Sequence, residues 1–210
     1  MIKVEHIEVW GWKHAIRGMR NPMNSWDRSD SVFGEPDDRS GILFGDNDVQ
    51  LMFNLCMAGP EHRKFMRQIF VSMDITAPLY WWKEFDTYKI GTTANSCSTM
   101  HKIHDKEFVR DDFSHEHLYV EETEVLDTVI VALNAARQLY LDGYHKNDWW
   151  QMIQLLPSSY NQRRTVTMNY ENALNMYHQR KDHKLDEWRE FTDILRRNLP
   201  LFSEFVEEYT

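Results

Sequence analysis

The chain has 210 residues, with 24 Lys plus Arg against 33 Asp plus Glu and a formal net charge of −9. Such acidity opposes non-specific binding to polynucleotides or anionic lipid, while leaving room for a local basic pocket that takes one small nucleotide. With 42% hydrophobic and 13% aromatic residues, the chain can fill one sizeable core, and a single domain over 1–210 is expected.

The opening MIKVEHIEVW lacks the apolar run of a secretory leader, and no window approaches about 18 consecutive apolar residues, so a cytoplasmic protein with no membrane partner is expected. Cys56 and Cys97 read as free thiols of a reducing compartment. Met1 to Trp10 alternates like a strand but slips register between His6 and Ile7, which predicts a bulge or bend. Asn21 to Asn47 is dense in Asp, Ser, Gly, Pro and Asn and reads as a long acidic loop.

Val49, Met52, Phe53 and Cys56 share one helical face over Asp48 to Met57, with Asn47 or Asp48 as cap and Gly59-Pro60 as stop. A second helical segment is expected at Glu61 to Ile69. The run VSMDITA then alternates as a half-buried strand ended by Pro78, and LYWWKEF begins a helix. The longest apolar stripe, from Leu126 to Tyr140, predicts a helix over Val125 to Tyr144. Asp148 and Gln151 have capping-box spacing before a shorter helix closed by Pro157. Further helices are expected at Val166 to Arg180 and Asp186 to Arg197. The mixture is α+β, with one mainly antiparallel sheet packed against several helices.

Two segments carry candidate chemistry. Asp86 to His104, DTYKIGTTANSCSTMHKIH, gathers hydroxyls, an amide and a thiol with little core periodicity; it reads either as a polar loop or helix start, or as a wrap around a polar ligand. Leu156 to Lys184 carries Arg163, Arg164, Asn169 and Arg180, where Arg suits a bidentate grip on phosphate and a solvated helix with a basic end is the plainer alternative. His101, His104, His115 and His117 have spacings seen in metal sites, but no HExxH or CxxC accompanies them and no metal is expected. A P-loop, a GxGxxG and a GxSxG are all missing from the sequence.

At these segments the sequence resembles the flavin-dependent thymidylate synthase family. Leu156 to Arg180 is similar to that family's stretch from Leu-Pro through Arg and Asn to an Arg at a helix end, and ITAPLYWWKEFDTYK resembles its strand and helix leading into a signature of Arg-His-Arg and a later Ser. Thr87-Tyr88-Lys89 stand on Arg-His-Arg, Cys97 stands on the serine, and Thr99 stands where the family has another arginine. The resemblance implies a homotetramer with sites shared between subunits. It implies a substrate grip on dUMP by Arg163, Arg180, Glu84, Ser96 and Ser98, and a flavin side built from His62, Tyr88, Lys89 and Asn169. FAD, NADPH and methylenetetrahydrofolate are the implied cofactor and cosubstrates, and methylation at C5 of dUMP the implied reaction. Cys97 is the candidate catalytic residue, a thiolate that would add to C6 of the pyrimidine. The lost Arg-His-Arg favours a second expectation, a catalytically inactive or repurposed relative that keeps the nucleotide and not the flavin.

Overall fold

The computed structural model describes residues 2–34 and 41–208. Its centre is a four-stranded sheet of β1 (Lys3–Trp10), β4 (Phe70–Pro78), β5 (Thr92–Ser96) and β6 (Asn161–Asn169) in the order β1-β4-β6-β5, every neighbour antiparallel. The α+β class with one antiparallel sheet is as the sequence predicts.

The slip in β1 is real. His6 takes a left-handed φ of 52° and the pairing with β4 shifts between Glu5 and Glu8. Gly11 follows at φ 97°, and a Cβ there would lie 2.1 Å from the Gln68 carbonyl oxygen, so only glycine lets the chain turn into α1 (Trp12–Arg20).

Segment 21–47 is not structureless where described. Short 3-10 turns occupy Asn21–Met23 and Trp26–Arg28, and β2 (Val32–Phe33) pairs with β3 (Ile42–Leu43); positions 35–40 lie outside the described residues. In α2 (Asp46–Met57), Met52 and Cys56 are buried as expected, but Asp48 is no cap. It sits fully buried in the first turn, ion-paired to Arg20 at 2.6 Å. Between α2 and β4 the expected helix is a 3-10 helix, Arg63–Gln68.

In β4, Val71, Met73, Ile75 and Ala77 point into the core, and Val166 and Met168 of β6 join them. The opposite face carries Ser72, Asp74 and Thr76 against Thr167, Thr165 and Arg163. Alternation therefore gives the sheet one apolar inner face and one hydrophilic outer face. Against the inner face lie α1, α2, α3 (Leu79–Phe85), α7 (Tyr170–Arg180), α8 (Asp186–Asn198) and α9 (Phe202–Glu208), closing a cluster rich in Trp12, Trp81, Trp82, Trp188 and Phe191. A second apolar cluster joins α5 (Val120–Gly143) and α6 (Lys146–Leu155) to Ile103, Phe108 and Phe113. α6 starts before the expected capping box, with His145 as its N-cap. Among the described residues no helix is long and apolar enough to cross a membrane.

The expectation of one helix from Val166 to Arg180 is corrected. Val166 to Asn169 finish β6, and the helix begins only at Tyr170, with the Asn169 side chain accepting from the Asn172 amide at 2.9 Å as its cap.

Candidate functional site

Antiparallel pairing puts the candidate residues of β5 and β6 on defined faces. Ser96 pairs with Arg164, and the Cys97 amide donates to the Arg163 carbonyl at 2.9 Å, so Cys97 and Arg163 fall on the outer face beside Thr76. These three and Ser98 line one cleft of about 510 Å³, the size of a small-ligand site. Ser98 also caps the short helix α4 (Thr99–Lys102) by accepting from the His101 amide at 3.1 Å. Ser96, one residue away, faces the other side of the sheet with Arg164. The two serines do not share a site.

Arg163 is anchored on that outer face. Its Nη2 donates to Asp74 Oδ2 at 2.6 Å and its Nη1 lies 4.0 Å from Glu5. The Thr165 hydroxyl, 2.5 Å from Asp74, and then Arg163 itself hold the Asp74 carboxyl below the ordinary value, so it stays charged and keeps the guanidinium oriented. The Arg163 side chain remains 45% exposed, with N–H groups left for a ligand.

A second grouping forms where α3, α7 and α8 meet. Arg180, the last residue of α7, donates Nε to the Tyr88 hydroxyl at 2.8 Å and Nη1 to Glu84 Oε2 at 3.0 Å, and its guanidinium lies 4.9 Å over the Trp188 ring. Glu84 Oε2 also accepts from Trp188 Nε1 at 2.9 Å and stands 3.3 Å from His183 Nε2. The Leu185 amide donates to His183 Nδ1, which fixes the tautomer with its proton on Nε2, facing Glu84. Tyr88 completes the lock by donating to Gln179 at 2.9 Å while its ring packs on Phe85 and Trp188. The structure thus brings Glu84, Tyr88 and Arg180 together. Gln179, His183 and Trp188 belong with them, and nothing in the linear sequence marked that.

Beyond Tyr88 the chain turns outward. Lys89 is exposed and makes no ion pair among the described residues, and Ile90 is 90% exposed. Gly91 adopts φ 72° against two amides: an added Cβ would lie 2.7 Å from both Asn169 Nδ2 and Asn172 Nδ2. Asn172 holds the turn by donating to the Ile90 carbonyl at 2.6 Å. Gly91→Ala should therefore lower stability by about 1–2 kcal/mol through the left-handed φ alone, with more lost as Asn172 is displaced; urea unfolding checks this. Arg164 flanks the same region from the sheet, 4.2 Å over Trp82 and bonded to Asp86 at 2.7 Å.

Lys89, Asn169 and Asn172 are thus grouped by one turn, whereas His62 is not with them. It is exposed at the N-cap of the 3-10 helix Arg63–Gln68, with no hydrogen bond or ion pair to that group. Asn169, the N-cap, and Arg180, the last residue, mark opposite ends of α7. Among the described residues no three His, Cys, Asp or Glu side chains are placed to hold a metal ion.

No protein-family description and no curated protein matches the sequence. Solved structures do match. Thymidylate synthase X (ThyX) from Helicobacter pylori, with FAD and dUMP, aligns over 100% of both chains at a TM-score of 0.75 and 17% identity. A second structure of flavin-dependent ThyX from Helicobacter pylori, complexed with FAD and dUMP, covers 99% of this chain and 97% of its own at a TM-score of 0.68 and 17% identity. The chain has the fold of flavin-dependent thymidylate synthase X over its whole length.

Proposed function

We propose that this protein binds a pyrimidine mononucleotide of the dUMP class and modifies it at C5, in the manner of flavin- and folate-dependent thymidylate synthesis. The observation that carries the reading is the outer-face cleft, where Cys97 and Ser98, just past β5, meet Arg163 of β6 in a fold whose Helicobacter pylori relatives hold FAD and dUMP. Arg163, fixed by Asp74, would orient the nucleotide, and Cys97 stands on the same wall as the candidate nucleophile toward C6.

The residues present fit a flavin on one side. The Gly91 turn leaves no room for a Cβ beneath Asn169 and Asn172, and Lys89 beside it is a cation with no partner among the described residues. Lys89 would meet the flavin's phosphates as a point charge, and Asn169 and Asn172 would shape the adjoining edge. When bound and reduced, with NADPH as the reductant and methylenetetrahydrofolate as the carbon source, flavin supplies the hydride that makes the transferred unit a methyl group. The outward faces of α5 include exposed Val125, Val131 and Leu139, which supports association into a homotetramer.

Tyr88 favours a second reading. Its ring and hydroxyl are engaged by Phe85, Trp188, Gln179 and Arg180, so the middle position of the replaced signature is turned toward the protein. A chain with that arrangement would keep the nucleotide and release the flavin.

Uptake of FAD and stabilisation by dUMP separate the two. With dUMP at a hundredfold excess over Kd, Tm is expected to rise by about 5–10 °C, from about 2.7 kcal/mol of linkage. FAD added to the pure protein should give a yellow, non-dialysable complex. A colourless protein stabilised by dUMP supports the second reading, and no response to dUMP defeats both. Full activity in Cys97→Ser removes the thiol from the mechanism.

A further inference from the structure

Thr99 stands where the resembled family carries an arginine, yet the cleft is not short of cations. Lys102, at the end of α4, and Lys106, just beyond it, line the same cleft as Cys97, Ser98 and Arg163. We infer that Lys102 and Lys106 are the phosphate grip of the nucleotide site, a role that rests on the pyrimidine-nucleotide reading above and names which part of the nucleotide they take.

Cations and acids balance in the cleft, so what matters is which cations are available. Its cations are Lys102, Lys106 and Arg163, and its acids are Asp105, Asp111 and Asp112. Arg163 is already turned to Asp74, so it alone supplies little surplus charge to a phosphate dianion. Lys102 pairs with Asp105 at 2.9 Å, but the two side chains are 71% and 46% exposed, and such a pair holds weakly in water. A dianion entering the cleft competes well for that ammonium. Lys106 is positioned by its bond to Asp112, whose second oxygen accepts from the Val109 amide at 3.1 Å within the turn Arg110–Asp112. Asp112 is only 12% exposed while Lys106 is 65% exposed, so the acid is fixed in the wall and the ammonium is presented at the rim. Two lysines replace one planar fork with two mobile point charges, which suits the phosphate and not the base.

Calorimetric titration of dUMP and of deoxyuridine into wild type, Lys102→Ala/Lys106→Ala and Lys102→Arg/Lys106→Arg tests the assignment. The alanine pair is expected to weaken dUMP by at least about tenfold, with deoxyuridine changed less than about twofold and affinity restored by the arginine pair. An alanine pair that binds dUMP like wild type overturns the lysine assignment and leaves the nucleotide reading standing. Equal loss of dUMP and deoxyuridine also overturns it, since that marks a collapsed cleft. A wild type that binds neither overturns the nucleotide reading itself, and the lysine role with it.

Discussion

Asp48→Ala is expected to destabilise the fold by about 3–5 kcal/mol, the cost of removing one partner from a buried ion pair. Asp48 is fully buried, and Oδ1 accepts from Arg20 Nε at 2.7 Å, while Oδ2 accepts from the Ser29 hydroxyl at 2.9 Å and the amides of Asp30 and Ser31 at 3.1 and 2.9 Å. The segment repays the contact: Asp30 caps α2 by accepting from the amides of Asn47 and Asp48 at 3.0 and 3.1 Å, where the N-cap Gly45 has no side chain to offer. Removing the carboxylate frees residues 29–31 and leaves the Arg20 guanidinium, 4% exposed, with the Ser25 carbonyl. Urea unfolding should show the drop, and a loss under about 1 kcal/mol would contradict the account.

The same group predicts a pH dependence. Burial pushes the Asp48 carboxyl up, but hydrogen bonds from Ser31, Arg20 and Ser29 outweigh it and hold the group below its ordinary value. A depressed carboxylate stabilises fully above its unfolded pKa of about 3.9 and loses that contribution as pH falls through its folded value. Wild type should weaken below about pH 4, and Asp48→Asn, less stable at neutrality, should show a shallower acid slope.

Local pattern and tertiary pairing account for what was legible in the sequence. VSMDITA alternates strictly, and β4 is where that alternation puts it. NQRRTVTMN alternates too, but it runs without a break into YENALNM, and the helical period of the second half masked the strand. The boundary is a cap, Asn169 to the Asn172 amide, which reads as a cap only once the strand before it is known. TTANS has no apolar residue but Ala94; it is a strand because β6 supplies its partners from far along the chain. Cys97 and Arg163 lie in separate segments of the sequence, and only the antiparallel register shows that they share a face while Ser96 does not. The neighbours of Asn47 and Asp48 suggest a cap at one or the other, since the true partner of Asp48, Arg20, is 28 positions away.

In a site shared between copies of the chain, as the family resemblance implies, Arg180 of one copy would meet the nucleotide held in another copy's outer-face cleft, and Arg180→Ala is then expected to lower affinity for dUMP by about a hundredfold, near the upper end for charged hydrogen bonds, while costing the fold much less. The contrast follows from what remains after truncation. Glu84 keeps Trp188 Nε1 at 2.9 Å and His183 Nε2 at 3.3 Å, and it is 36% exposed, so no buried charge is orphaned. Tyr88 keeps its bond to Gln179. What disappears is a cation at the negative end of α7, oriented by two hydrogen bonds and two aromatic faces, with N–H groups left over for an anion. Arg180→Lys separates charge from shape: the ammonium cannot reach Tyr88 and Glu84 while lying flat on Trp188, so affinity should recover only in part. Trp188 fluorescence reads the same contact without ligand, since both variants remove the guanidinium from its ring. A wild-type affinity in Arg180→Ala, with Trp188 emission altered, would make Arg180 a brace between α3, α7 and α8 and leave the anion to Arg163 and the outer-face cleft.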